Sequence, residues 1–192
     1  MEMIKIKTRF LYCFLAPSGA GKDKVTNELC ARYNFTKIPS YTTRHRREND
    51  SNDIKNHIFV NQSGFDTIRK DLFCYDHYDE NDYGATEQQA HDYNFYVVNA
   101  SGIKWYNENY HGDVQIKVIF LDVDESVRKY RMMLRGDSWH QINRRILEDS
   151  TEFKNAKDLA DIIIPNDFFD SCINNVYDYI MKCENETEGD DT

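Results

Sequence analysis

The sequence has no apolar run that approaches the roughly 20 residues needed to cross a membrane. Its N-terminal residues 1–7 lack the apolar centre of a secretory signal. The 5 cysteines are odd in number and irregularly spaced, which argues against a disulfide framework. The 6 histidines show no spacing typical of a metal site. We therefore expect a cytoplasmic protein.

The charge balance is acidic, with 24 basic and 33 acidic residues and a net charge of −9. Five of the acids and no base lie from Glu184 onward, in a stretch without an apolar pattern. We expect residues 184–192 to form a disordered acidic tail. An acidic body disfavours nucleic acid or an anionic membrane as partner. An anionic ligand must then be held by a local basic cluster.

Apolar runs typical of buried strands alternate with helical patterns along the 192 residues. The runs are residues 10–15, 95–98, 116–121 and 161–164. The alternation predicts an α/β fold with a parallel sheet core flanked by helices, and a ligand at the carboxyl ends of its strands. Residues from about 40 to 92 interrupt it. We interpret them as a lobe inserted into a single domain, residues 1–183, whose core is 1–39 and 93–183.

A glycine-rich loop joins the first predicted strand to a helix predicted over residues 24–32. Its residues are Ala16, Pro17, Ser18, Gly19, Ala20, Gly21, Lys22 and Asp23. Strand, glycine loop, lysine and helix together present backbone N–H groups to a polyphosphate. Ala16 and Asp23 depart from the P-loop pattern G-x-x-x-x-G-K-[ST], but the carboxylate of Asp23 can still ligate Mg²⁺. A glycine-rich turn without a ligand is the alternative.

Three further groups of residues suit phosphoryl transfer. Residues 42–47 offer two threonine hydroxyls and three arginines to a phosphate, although such a run alone is most often a solvated surface. Residues 82–86 are predicted as a turn that presents the hydroxyl of Tyr83, although such a segment alone is more often part of a hairpin. Five arginines fit a mobile lid over phosphates. Arg128, Arg131 and Arg135 recur at helical spacing before a glycine hinge at Gly136, and Arg144 and Arg145 follow it.

These elements, in this order, resemble the guanylate kinase family of P-loop nucleoside monophosphate kinases. Residues 16–22 are similar to a common version of its phosphate loop, in which an alanine stands at the position of Ala16. Residues 40–47 match its acceptor-phosphate motif S-x-T-T-R-x-x-R. Residues 130–136 and 142–145 look like its lid, and Asn166 falls where its last core strand ends near adenine. The resemblance runs from about residue 9 to 183.

The resemblance implies a P-loop NTPase fold with a lid at about 131–150, and Mg²⁺-dependent transfer of the ATP γ-phosphoryl group to GMP or dGMP. ATP would bind to residues 16–23 and Asn166, with Asp23 as a Mg²⁺ ligand. The catalytic residues would be Lys22, Arg44, Arg131, Arg135 and Arg145. The acceptor-binding residues would be Ser40, Arg44, Arg47, His57, Cys74 and Tyr83. The partners would be small-molecule nucleotides, and the oligomeric state stays open.

The acceptor pocket departs from the family pattern. Cys74 aligns with the guanine-reading glutamate, and Val97 and Asn99 align with the acids that follow it. Guanine presents N–H donors, so a site without acceptors loses its discrimination between guanine and other bases by powers of ten. Asp76 or Asp79 could compensate. Two hypotheses therefore stay open beside the first: a kinase of the same fold for another nucleotide or ribose 1,5-bisphosphate, and a non-catalytic module that binds a protein.

Overall fold

The computed structural model describes residues 6–46 and 53–186. Strands in these residues are β1 (Leu11–Leu15), β2 (Ser40–Thr42), β3 (His57–Phe59), β4 (Leu72–Tyr78), β5 (Asn81–Thr86), β6 (Phe95–Val98), β7 (Ile116–Asp122) and β8 (Ile162–Pro165). The α-helices are α1 (Lys22–Tyr33), α2 (Asp53–Asn56), α3 (Gln62–Ile68), α4 (Glu87–Asp92), α5 (Ala100–Asn109), α6 (Glu125–Leu134), α7 (Trp139–Glu152) and α8 (Phe169–Asn185). Short 3₁₀ turns cover Arg69–Asp71 and Ala156–Leu159.

A parallel sheet with the strand order β6-β1-β7-β8 forms the centre of the fold. Every residue of β1 is buried, because this strand has neighbours on both edges and helices on both faces. Phe14 packs into a core with residues of α1 and α8, while Cys13 and Leu15 pack into a second core with residues of β4 and α5. The predicted α/β fold with a parallel sheet is confirmed.

A second sheet has the order β3-β2-β5-β4 and lies between β1 and β6 in the sequence. Its β2–β3 pair is parallel and its other pairs are antiparallel. The turn between β4 and β5 is formed by Asp79 and Glu80, both with positive φ (51° and 61°). The predicted turn at residues 82–86 was wrong, and the alternative of a tyrosine in a hairpin is confirmed, because Tyr83 lies in β5 opposite Asp76. Gly84 instead lies within β5, where a Cβ would come within 2.9 Å of Leu72 Cδ2.

The last helix extends into the segment that was predicted as an acidic tail. Glu184, assigned to the acidic tail, belongs to α8, and its carboxylate accepts hydrogen bonds from the Tyr12 hydroxyl (2.7 Å) and the Arg9 amide (2.8 Å). These partners explain why helix extends into the acidic stretch. The rest of the predicted tail from residue 187, like Arg47, lies outside the described residues. None of the helices in 6–46 and 53–186 has the length and apolar character to span a membrane.

Candidate active site

The glycine loop leaves the carboxyl end of β1 and enters α1 at Lys22. Gly19 and Gly21 adopt positive φ, 78° and 92°, a conformation that favours glycine. A Cβ on Gly19 would also lie 2.7 Å from the carbonyl oxygen of Arg128 in α6. The loop is thus packed directly against α6, and its glycines make this approach possible.

Lys22 is half-buried and folded over the loop, where its ammonium group donates to the carbonyl of Ala16. Its Nζ lies 5.6 Å from the ring centroid of Phe153. Burial lowers the pKa of Lys22, while the nearby carboxylates of Asp23 and Asp149 act to raise it. The ammonium group is therefore partly desolvated and held at the mouth of the loop.

A cleft of about 780 Å³ opens in front of Lys22. Its charged lining comes from the loop, α1, α6 and α7, and is made up of Lys22, Asp23, Lys24, Arg131, Arg135, Arg145, Glu148, Asp149 and Glu152. Asp23 is largely exposed, and its Oδ1 is 3.1 Å from the ammonium of Lys37. The structure thus brings the predicted loop and the three predicted lid arginines to one cleft.

Asn166 joins the end of β8 to the phosphate loop. Its side-chain amide donates to the Ala20 carbonyl at 2.8 Å, and its backbone carbonyl accepts from Arg131 Nη2 at 2.7 Å. The residue is only 2% exposed, and its Oδ1 has no hydrogen-bond partner within the described part of the chain. Asn166 therefore lines the cleft and connects β8 to the phosphate loop and to Arg131, while its Oδ1 is buried.

Asp137 lies between two of the predicted lid arginines. Arg135 Nε donates to Asp137 Oδ1 at 3.0 Å, and Arg145 Nε is 3.9 Å from Asp137 Oδ2. Arg144 instead lies 3.7 Å from Glu148 and does not line the cleft. Asp137 was not among the predicted site residues, because an isolated acid gives no local signal of the arginines that it contacts.

The predicted acceptor-phosphate residues gather on the second sheet. Ser40 Oγ lies 2.9 Å from His57 Nδ1, and the His57 ring is 6.1 Å from that of Tyr83. Arg44 forms two hydrogen bonds, of 2.6 and 3.2 Å, with the buried carboxylate of Asp53. Asp53 was not predicted, because an isolated acid gives no local signal of its arginine partner. Its contact orients the guanidinium of Arg44.

One row of directly opposed residues crosses the second sheet. Phe59, Thr42, Tyr83 and Asp76 are successive register partners on β3, β2, β5 and β4. Side chains of opposed residues lie on the same face, so Asp76 shares a face with Tyr83. Ser40, two residues from Thr42 in β2, projects from this face too. The face that carries the predicted phosphate-binding groups therefore also carries a carboxylate.

Cys74 belongs to the core, and this corrects its assignment to the acceptor site. Its side chain is 1% exposed, and its thiol donates to the Gly102 carbonyl in α5 at 3.2 Å. Burial raises the pKa of the Cys74 thiol well above its usual value. A Cβ on Gly102 would lie 3.1 Å from Cys74 Sγ, so α5 packs tightly over this thiol. No room is left there for a base to contact it.

Asp76 is also buried, at 8% exposure, but in polar surroundings. Its Oδ2 accepts from Asn99 Nδ2 at 3.0 Å, and its Oδ1 accepts from Ser101 Oγ at 2.6 Å. Asn99 also lines the cleft in front of the phosphate loop. Asp76 therefore lies where the second sheet meets the edge of the parallel sheet that carries the loop.

A parallel sheet with a glycine loop and a lysine at the end of a central strand, faced by arginines from later helices, defines a P-loop phosphotransferase. The model of the guanylate kinase family, "Guanylate kinase", matches residues 8–183. This chain belongs to the guanylate kinase family.

Similarity to two individual proteins supports this assignment. The chain is 25% identical over 183 residues to a guanylate kinase of Pseudoalteromonas translucida (strain TAC 125), a match that covers 89% of this chain and 86% of that protein. Its fold is similar to the crystal structure of guanylate kinase from Anaplasma phagocytophilum, with a TM-score of 0.70 and 18% identity over 96% of this chain and 90% of that one.

Proposed function

We propose that this protein transfers the γ-phosphoryl group of ATP to GMP or dGMP. The observation that carries the proposal is the common cleft in which Lys22 of the phosphate loop faces Arg131 and Arg145. Phosphoryl transfer is catalysed by positioning and by neutralisation of charge, and this cleft provides both. Membership of the guanylate kinase family and the name of the 25% identical relative support GMP as the acceptor.

On the donor side, the backbone of residues 16–23 would hold the ATP phosphates and Lys22 would stabilise charge on the transferred group. Asn166, which lines the cleft, would lie near the adenine, as the family resemblance implies. Arg131, Arg135 and Arg145 would close over the phosphates as part of a lid at about 131–150. Phosphate oxygens would then replace Asp137 as the partner of Arg135 and Arg145.

Mg²⁺ fits the carboxylates of this cleft, because it prefers hard oxygen ligands and completes its shell with phosphate oxygens and water. Asp23 is the proposed ligand, since it lines the cleft directly after Lys22 and its side chain is 59% exposed. The cation would neutralise charge on the ATP phosphates. Within this arrangement Lys37, which pairs with Asp23 Oδ1, would orient the carboxylate.

On the acceptor side, we assign residues 40–92 to a lobe that binds the monophosphate. Arg44, oriented by Asp53, and Tyr83 would contact the acceptor phosphate, with Ser40 and His57 beside them. We keep Arg47 in this group on the basis of the sequence motif. These donors suit the three oxygens of a phosphate monoester.

Asp76, rather than Cys74, would read the guanine base. Guanine offers an N1–H and an exocyclic amine, which both require acceptors. The Asp76 carboxylate holds one neutral donor on each oxygen, and no ion pair joins it to Lys, Arg or His among residues 6–46 and 53–186. A carboxylate has about four acceptor directions, so each oxygen retains one for a ligand donor.

An ADP-release assay with Mg²⁺, ATP and a panel of acceptors tests this function. We expect selective turnover of GMP and dGMP over AMP, CMP, UMP and ribose 1,5-bisphosphate. Turnover confined to another acceptor would replace the substrate assignment. A protein that binds no ATP in calorimetry and turns over none of the acceptors would not be a kinase at all.

A further inference from the structure

A buried ion pair holds Ser18 of the phosphate loop on both sides of its backbone. Asp149 Oδ2 accepts from the Ser18 amide at 2.9 Å, and Asp149 Oδ1 accepts from the Ser18 hydroxyl at 3.2 Å. Arg128 Nη1 donates to the Ser18 carbonyl at 3.1 Å and to Asp149 Oδ2 at 2.9 Å. The three residues therefore form a closed ring of hydrogen bonds that includes the backbone N–H and C=O of Ser18.

Both charged residues of this ring are buried, each at 8% exposure. A buried ion pair contributes little net stability relative to apolar side chains of similar volume, because desolvation offsets the attraction. Removal of one partner alone is strongly destabilising, since it leaves the other charge buried and unpaired. A contribution to stability therefore does not explain why a buried ion pair stands at this position. Its hydrogen bonds to the phosphate loop suggest instead that it positions the loop.

The pair also lies one helical turn from two of the cleft arginines. Arg128 precedes Arg131 by three residues in α6, and Asp149 follows Arg145 by four residues in α7. Residues at these spacings lie on the same side of a helix. The ring of hydrogen bonds therefore connects the phosphate loop to the two helices that present arginines to the cleft.

We propose that Arg128 and Asp149 are positioning residues that hold the Ser18 backbone, α6 and α7 in the arrangement that binds the ATP phosphates. The proposal rests on the proposed function only in taking ATP as the ligand. It predicts that removal of Asp149 weakens ATP binding, whereas simple charge repulsion predicts that the removal strengthens it. Asp149 places a negative charge near Lys22. Without a positioning role, its removal would strengthen the binding of ATP.

The test compares Arg128→Met, Asp149→Ala and the double variant, which keeps the net charge of the wild type. The melting temperature and the dissociation constant for Mg·ATP are measured by calorimetry, and kcat is measured with GMP. We expect the single variants to lose several degrees of melting temperature or to fail to fold. The double variant should regain most of that loss, yet bind ATP about tenfold more weakly and show a kcat lower by about 10- to 100-fold.

Lys129→Met is the matched control, since it removes an exposed ion pair with Glu125 from the same helix. It should leave both constants unchanged. A double variant with wild-type ATP affinity and kcat would show that the pair is only structural, and tighter ATP binding by Asp149→Ala would show that Asp149 opposes the ligand. Either result overturns the proposal. Failure of the wild type to phosphorylate GMP would overturn the proposed function instead, while ATP affinities would still test the positioning role.

Discussion

The side-chain amide of Asn166 donates to the carbonyl oxygen of Ala20 across 2.8 Å, although 146 positions separate them in the chain. This bond closes the phosphate loop against the end of β8 and leaves the other side-chain atom of Asn166, Oδ1, without a partner in the described residues. Arg131 completes the group by donating to the Asn166 backbone. The nucleotide cleft is therefore assembled from segments that follow β1 and β8, the first and last strands along the chain, together with α6.

Lys22→Ala should lower kcat with GMP by a factor of about 10³ or more, because the charge of the transferred group loses its stabilising partner. The fold should persist, since among residues 6–46 and 53–186 the Lys22 side chain donates a hydrogen bond only to the carbonyl of Ala16 in its own loop. Coupled ADP release gives the rate, and circular dichroism checks the fold. Lys104→Ala, an exposed lysine in α5, is the control and should match the wild type. Near-normal turnover by Lys22→Ala would refute the site.

Asp76→Ala should reduce the preference for GMP over AMP by about 10²-fold in kcat/KM, because guanine donors would be left without an acceptor. The KM for ATP should change little. Asp79→Asn is a suitable control, since Asp79 lies in the hairpin turn with φ 51°, which asparagine tolerates. Initial rates with both acceptors give the ratio. A wild-type preference in Asp76→Ala would exclude Asp76 as the base-reading residue.

Asp23→Ser should alter the Mg²⁺ concentration at which the rate is half-maximal, because a carboxylate ligand is exchanged for a neutral hydroxyl. The same change also removes the ion pair with Lys37. Lys37→Met therefore serves as the comparison, since it breaks the ion pair and keeps the carboxylate. A Mg²⁺ titration of the rate separates the two effects. An unchanged titration in Asp23→Ser would remove Asp23 from the metal site.

The protein should become less stable at acidic pH as the buried carboxylate of Asp82 is protonated. Burial opposes its ionisation, but hydrogen bonds from Gln62, His77 and Tyr75, together with the charge of Arg69, lower the pKa of Asp82 from 3.8 to about 2. Because the folded value lies below the unfolded one, the stabilisation is present above pH 3.8 and is lost as the pH falls toward 2.

The ionised Asp82 should contribute about 2 kcal/mol to the free energy of unfolding at neutral pH. Urea unfolding at intervals between pH 2 and 6 measures it, and Asp82→Asn should flatten the dependence over the lower half of that range. Asp71→Asn, at an exposed site, is the comparison and should keep the wild-type slope. An equally steep slope in Asp82→Asn would assign the acid sensitivity to other groups.

Local signals predicted the parts of the site that are contiguous in the chain. The loop from Ala16 to Lys22 was recognisable because its glycines, lysine and flanking strand are neighbours in sequence. The lid arginines were recognisable by their helical spacing. Asp53, Asp137 and Asp149 carried no comparable signal, because each is an isolated acid whose arginine partner is chosen by packing.

The class of this protein could be predicted from local patterns of residue type, namely a phosphate loop, an arginine-rich motif and alternating strands and helices. The surroundings of Cys74 and Asp76 could not, because they depend on tertiary packing. Cys74 and Asp76 project from the same face of β4, and the sequence does not distinguish their surroundings. Packing of α5 encloses the thiol of Cys74 against Gly102, while Asn99 and Ser101 hold the carboxylate of Asp76. These surroundings depend on how a helix docks on a strand far from it in sequence.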